Sequence, residues 1–153
     1  MKIKSFVAEY VGLSTALKTF CSVGLPYNPV IGNDHVKSES FIALWDTGAM
    51  GSVITKNVVE KLGLSPVGRA TVYHANGITN VPVYLVSIHL PCHIEFPYIR
   101  VTEGVLDGVD VLVGMDIIAK GDFAITAPGG NTKFTFQVPP THDIDFVKEH
   151  DKK

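Results

Sequence analysis

The sequence predicts an all-β domain, and three observations carry that reading. Apolar and β-branched runs of four to eight residues recur along the chain, parted by Gly, Pro, Asn and Asp. Two hairpin signals, "ANGIT" at 75–79 and "TAPGGNTKF" at 126–134, each lie between strand-like runs. Only two short stretches show helical periodicity.

The runs predict strands at 4–11, 17–23, 40–45, 69–74, 81–90, 97–102, 110–113, 122–126 and 132–137. The polar, turn-rich stretch 28–40 reads as a loop. Asn76-Gly77 is the strongest short turn signal in the chain. A helix is predicted over 55–63, with Thr55 as N-cap, Val58, Val59 and Leu62 on one face, and Gly63 as the stop. A shorter one over 115–121 also ends on glycine. The whole reads as one domain over 1–138, made of N-terminal extension strands (1–39) and a core (40–138). A charged, flexible tail follows over 139–153. No internal repeat is visible.

A chain of 153 residues suits a single core. Thirteen basic residues against fifteen acidic ones leave a net charge of -2, so no basic footprint points to a nucleic acid or a membrane surface. Cys21 and Cys92 make no disulfide framework, which suggests a reducing, cytoplasmic setting. The basic start resembles a signal peptide, but Glu9 and Lys18 interrupt its apolar part. Lys18, Thr19 and Phe20 are also wrong for a lipoprotein site before Cys21. No run of eighteen apolar residues could span a bilayer.

The chemistry centres on "FIALWDTGAMGSV" (41–53), where Asp46 ends an apolar strand. A carboxylate there loses solvation, which favours its neutral form. Two such groups facing each other share one proton, because like charges that close cannot both ionise. One is then a base and the other an acid at the same pH. That pair can deprotonate water while protonating a carbonyl oxygen, as peptide hydrolysis requires. Thr47 offers a hydroxyl to brace the loop, and Gly48 and Ala49 leave room for close approach.

"ALWDTGA" followed by "GSVIT", a hairpin with "HANG" at its tip, and "VLVGMDII" about seventy residues on resemble a retropepsin-like aspartic protease domain over roughly residues 40–138. The resemblance implies a closed β-barrel acting as a homodimer, each subunit giving one Asp to a site on the two-fold axis. It implies that Asp46 is catalytic, that Thr47 hydrogen-bonds across the dimer, and that Gly48 binds substrate backbone. "YHANGIT" (73–79) would be the flap. Ala49, Met50, His74, Ala75, Asn76, Gly77 and Ile78 would contact an extended peptide or protein substrate, and no cofactor or metal is called for. Met50, Ile54, Ile78, Val81 and Ile117 would line side-chain pockets. "GMD" (114–116) would turn beneath the catalytic loop. Two departures stand out: Met50-Gly51 replaces the acidic residues common in the viral enzymes, and Trp45 is bulkier than the usual aliphatic. The expected function is an aspartic endopeptidase; the alternative is an idle module of the same fold that dimerises or binds peptide.

Other candidates have plainer readings. Asp116 caps the short helix or pairs with a base, and Asp107 and Asp110 are turn residues. His89, Cys92 and His93 in "HLPCHIEF" suggest metal, but no second ligand pair at zinc spacing follows, and Pro91 points to a loop or bulge. Cys21 reads as a small apolar residue, and "PGG" (128–130) as a hairpin turn.

Overall fold

The computed structural model describes residues 2–33 and 35–151. Its strands in chain order are β1 (Lys4–Glu9), β2 (Leu17–Gly24), β3 (Ser38–Trp45), β4 (Val53–Ile54), β5 (Gly68–His74), β6 (Gly77–Leu90), β7 (Ile94–Glu103), β8 (Val111–Val113), β9 (Asp122–Thr126) and β10 (Lys133–Val138). Three short helices are α1 (Lys56–Leu62), α2 (Met115–Ile118) and α3 (Phe146–His150). The nine predicted strands all correspond to observed ones, and the additions are small. β4 has two residues, too few for any alternation to show. Strand β3 begins at Ser38, inside the predicted loop. Helix α2 stops at Ile118, and α3 lies in the charged tail, capped by the Asp145 carboxylate accepting from the Val147 and Lys148 N–H groups. Pro91–His93 forms a single tight turn between β6 and β7, and β6 carries a bulge between Val86 and Ile88.

Seven strands run in the order β2-β3-β8-β4-β7-β6-β5, and β2 also pairs with β6 through Ser22–Gly24 and Ser87–His89. That extra pairing closes six strands into a ring and leaves β5 outside it. Residues 77–83 of β6 pair with β5 as a two-stranded arm, and residues from Val83 onward pair with β7 in the barrel. The remaining strands form a separate antiparallel sheet, β1-β10-β9.

The core follows from strand alternation. Phe41, Ala43 and Trp45 of β3 point inward and meet Val86, Ile88, Val101, Val111 and Val113. The small sheet contributes an aromatic cluster from its inner face. Phe6, Phe134 and Phe136 pack around Trp45, with the Trp45 and Phe136 rings 5.1 Å apart. The Trp45 indole N–H donates to the Thr19 hydroxyl at 2.9 Å, so its polar end is satisfied. Its bulk therefore fills the space between the barrel and the small sheet.

Candidate active site

β8 lies between β3 and β4 in the sheet, parallel to β3 and antiparallel to β4. The chain leaving β3 must therefore cross the end of β8 before it can form β4. That crossing is the loop 46–52. Its start is fixed by the Asp46 N–H, which donates to the Val113 carbonyl at 3.0 Å. The Asp46 carboxylate accepts from the Gly48 N–H at 2.7 Å, which closes a tight turn. Asp46 is half-buried, Thr47 and Gly48 are exposed, and Ala49 is half-buried. Among the described residues the Thr47 hydroxyl has no hydrogen-bond partner.

The turn after β8 supports the loop from below, as the "GMD" reading expects. The Met115 N–H donates to the Ala49 carbonyl at 2.8 Å and the Asp116 N–H to the Met50 carbonyl at 3.1 Å. A Cβ on Gly114 would sit 2.7 Å from the Gly51 carbonyl group, so only glycine permits this approach. Asp116 does not pair with a base. Its carboxylate accepts from the Ser52 N–H at 3.0 Å, the Ser52 hydroxyl at 2.7 Å and the Ile117 N–H at 3.0 Å. The Ser52 hydroxyl in turn accepts from the Gly114 N–H at 3.1 Å. Ser52 is buried, and it ties the C-terminal end of the 46–52 loop to Gly114 and Asp116 at the start of α2. The sequence reading passed it over, since nothing local marks a serine whose partner lies 64 residues on.

The β5–β6 arm ends in the predicted flap, with His74 paired to Gly77 and Ala75-Asn76 as the two turn residues. The turn thus falls one residue before the Asn-Gly signal. Positive φ sits on Gly77 (127°), and neither Ala75 nor Asn76 requires it. His74 braces the turn: its Nδ1 accepts from the Asn76 N–H at 3.3 Å, and its Nε2 lies 2.7 Å from the Thr79 hydroxyl. Residues 74–78 are all exposed.

A cleft of about 1090 Å³ opens beneath this arm. Val53, Val72, Val81 and Val109 give it apolar walls, and His74 and Asn76 face it from the flap. Its polar groups are held by neighbours: Asp110 accepts from the Thr55 hydroxyl at 2.5 Å, and Glu103 from the Tyr84 hydroxyl at 2.9 Å. Thr55 therefore spends its side chain on Asp110 and makes no cap to α1. Asp46 and Met50 do not line the cleft. Of the expected pocket residues, Val81 lines it, Met50 and Ile78 are exposed, and Ile54 and Ile117 are fully buried in the core and reach no pocket.

His89 stacks on Tyr27, and burial lowers its pKa. Cys92 and His93 are exposed in the Pro91–His93 turn, both with positive φ. Among the described residues no group of three His, Cys, Asp or Glu side chains is placed to hold a metal. Among them, too, no helix is long and apolar enough to cross a membrane.

Comparison with known proteins agrees with this geometry. In structure the chain is similar to a retropepsin-like aspartic protease from Rickettsia conorii, with TM-score 0.53 and 19% identity over 90% of this chain and 97% of that one. A Simian Foamy Virus (mac) protease aligns at TM-score 0.43 and 14% identity, over 66% of this chain and 92% of its own. An EIAV protease, complexed with the inhibitor HBY-793, aligns at TM-score 0.46 and 20% identity, over 70% and 88%. No curated protein sequence matches the chain. The family model described as "gag-polyprotein putative aspartyl protease" matches residues 34–120, more than half of the chain and all of the loop, flap and cleft just described. The chain therefore belongs to that aspartyl protease family and carries its retropepsin-like fold.

Proposed function

We propose that the protein is an aspartic endopeptidase whose site forms when two copies bring their Asp46 side chains together. The observation that carries this is the Asp46 loop. It presents one half-exposed carboxylate, anchored through Gly48, Ser52 and Gly114, with its Thr47 hydroxyl unpartnered among the described residues. One carboxylate cannot be acid and base at once; a facing pair can, because it holds a single proton between the two groups.

In this reading the ionised Asp46 takes a proton from water as the water attacks the scissile carbonyl. The protonated partner gives its proton to the carbonyl oxygen, which leaves a gem-diol; as the C–N bond breaks, the first Asp46 passes the water's proton to the leaving amine and the partner takes one back from a diol hydroxyl, restoring the shared proton. Thr47 of each copy hydrogen-bonds to the other loop and holds the two carboxylates in register. Gly48, Ala49 and Met50 meet the substrate backbone from one side. The flap residues His74, Ala75, Asn76, Gly77 and Ile78 meet it from the other and exclude water. The cleft beneath the flap takes apolar substrate side chains against Val53, Val81 and Val109. The chemistry needs no cofactor.

Asp46→Asn tests the assignment. The amide is nearly isosteric, so fold should persist in circular dichroism while peptide hydrolysis falls at least a thousandfold. Unchanged turnover by Asp46→Asn would overturn the reading.

A further inference from the structure

The cleft beneath the flap carries charge as well as apolar walls. Val53, Val72, Val81 and Val109 line it, and so do the half-buried carboxylates of Glu103 and Asp110.

The fold fixes each carboxylate. Glu103 ends β7, and Tyr84 of β6 pairs across from Val101, two residues earlier on the same face. The buried Tyr84 ring therefore reaches diagonally, and its hydroxyl donates to Glu103 Oε2 at 2.9 Å. Just beyond, the Gly104 N–H donates to the Ile54 carbonyl at 2.9 Å, and a Cβ on Gly104 would sit 2.7 Å from the Val53 side chain. Asp110 is tied twice to Thr55. Its Oδ1 accepts from the Thr55 hydroxyl at 2.5 Å, and its carbonyl accepts from the Thr55 N–H at 3.0 Å.

These bonds use one oxygen of each carboxylate. Among the described residues Glu103 Oε1 and Asp110 Oδ2 accept from no donor, and neither group has an ion-pair partner. The cations nearby are engaged elsewhere. Lys56, which also lines the cleft, has an exposed ammonium 3.6 Å from Glu60. Arg69 donates to the Asn80 side chain and, at 2.9 Å, to its carbonyl.

An open cleft leaves both charges in water, but a flap closed over substrate does not. An apolar substrate side chain would then leave two carboxylates desolvated without a counter-charge, which is costly. A long cationic side chain removes that cost. Its methylenes pack on the valines and its charged head meets the free oxygens. An acidic side chain would add a third negative charge and be rejected.

We infer that the cleft selects a substrate residue with a basic side chain, lysine or arginine. Glu103 sets this preference, Asp110 is the second anion, and Tyr84 is the positioning residue for Glu103. The inference rests on the peptidase reading of the site and names its substrate class.

A peptide series tests this on the full chain. Each peptide carries lysine, arginine, norleucine or glutamate at one position, scanned along both sides of the cleaved bond. Each is also made with a reduced, uncleavable bond, and its binding is read by fluorescence anisotropy. At one position a basic residue should give kcat/KM roughly 10- to 100-fold above norleucine, the range of a hydrogen bond to a charged group, with glutamate poorest. Glu103→Gln keeps an oxygen for the Tyr84 hydroxyl and removes the charge. The basic-to-norleucine ratio should then fall about tenfold, with the far-ultraviolet spectrum unchanged. Asp110→Asn should lower the ratio by a smaller factor, and Tyr84→Phe should lower it through KM with little change in kcat. Norleucine cleaved as well as lysine and arginine at every position would overturn the inference and leave the protease reading standing. So would a ratio that Glu103→Gln and Asp110→Asn both leave unchanged. Tighter binding of basic reduced-bond peptides, lost in Glu103→Gln, without cleavage of any peptide would support the preference and overturn the protease reading. Neither cleavage nor preferential binding would overturn both.

Discussion

Ser52 shows how a buried polar residue can set the geometry of a site it does not touch. Its hydroxyl stands between the Gly114 N–H and the Asp116 carboxylate. Ser52→Ala leaves both without that partner in a buried place, which should cost about 1–3 kcal/mol. Calorimetry should show the loss of stability, and kcat should fall more than KM rises, because the loop is loosened and the cleft is untouched. Unchanged stability would mean that the Ser52 hydrogen bonds are dispensable. The two cysteines should also behave differently. Burial, with a smaller contribution from the Asp110 charge, pushes the Cys21 thiol up to about 12, so it stays protonated and unreactive at pH 8. A thiol reagent should titrate one group, Cys92, in the native protein and two in denaturant. The sequence showed Asp46 plainly, since a carboxylate after five apolar residues has no local excuse. It could not show Ser52, nor that Ile54 and Ile117 face the core. A two-residue strand and a one-turn helix have too little periodicity to reveal a facing side.

The flap and the C-terminal segment act as units. His74 ties Asn76 to Thr79 across the flap turn, so His74→Ala should loosen the arm. We expect kcat/KM to drop several-fold, mostly through KM, with no change in melting temperature; steady-state kinetics on one peptide checks this. At the end of β9, the Asp122 carboxylate accepts from the Thr141 and His142 N–H groups at 2.8 and 3.0 Å and from the His142 ring at 3.0 Å. The Thr141 N–H, helped by His142, holds Asp122 below its ordinary value of 3.8. A depressed carboxyl stabilises the fold above the unfolded-state value and loses that contribution as pH falls through the folded value. The melting temperatures of wild type and Asp122→Asn should therefore differ at pH 6 and converge below about pH 3.8. Long strands with clear alternation were legible from the sequence. The two-residue strand β4 was not, because it exists only through its neighbours β7 and β8. The flap turn shifted by one residue because the pairing register, which spans both strands, outweighs the preference of one dipeptide.

At the scale of the whole molecule, the barrel closes through β2 and β6, a pairing between residues more than sixty positions apart that local pattern cannot predict. Closure leaves two places open: the flap arm over its cleft, and the β9 edge beside Trp45. In the proposed reading a second copy completes the site at Asp46. The most direct measurement of this account is specific peptidase activity as the chain is diluted. The account predicts constant specific activity at high concentration, then a fall in proportion to concentration once the two copies separate. Specific activity that stays constant down to concentrations where sedimentation shows only single chains would contradict it.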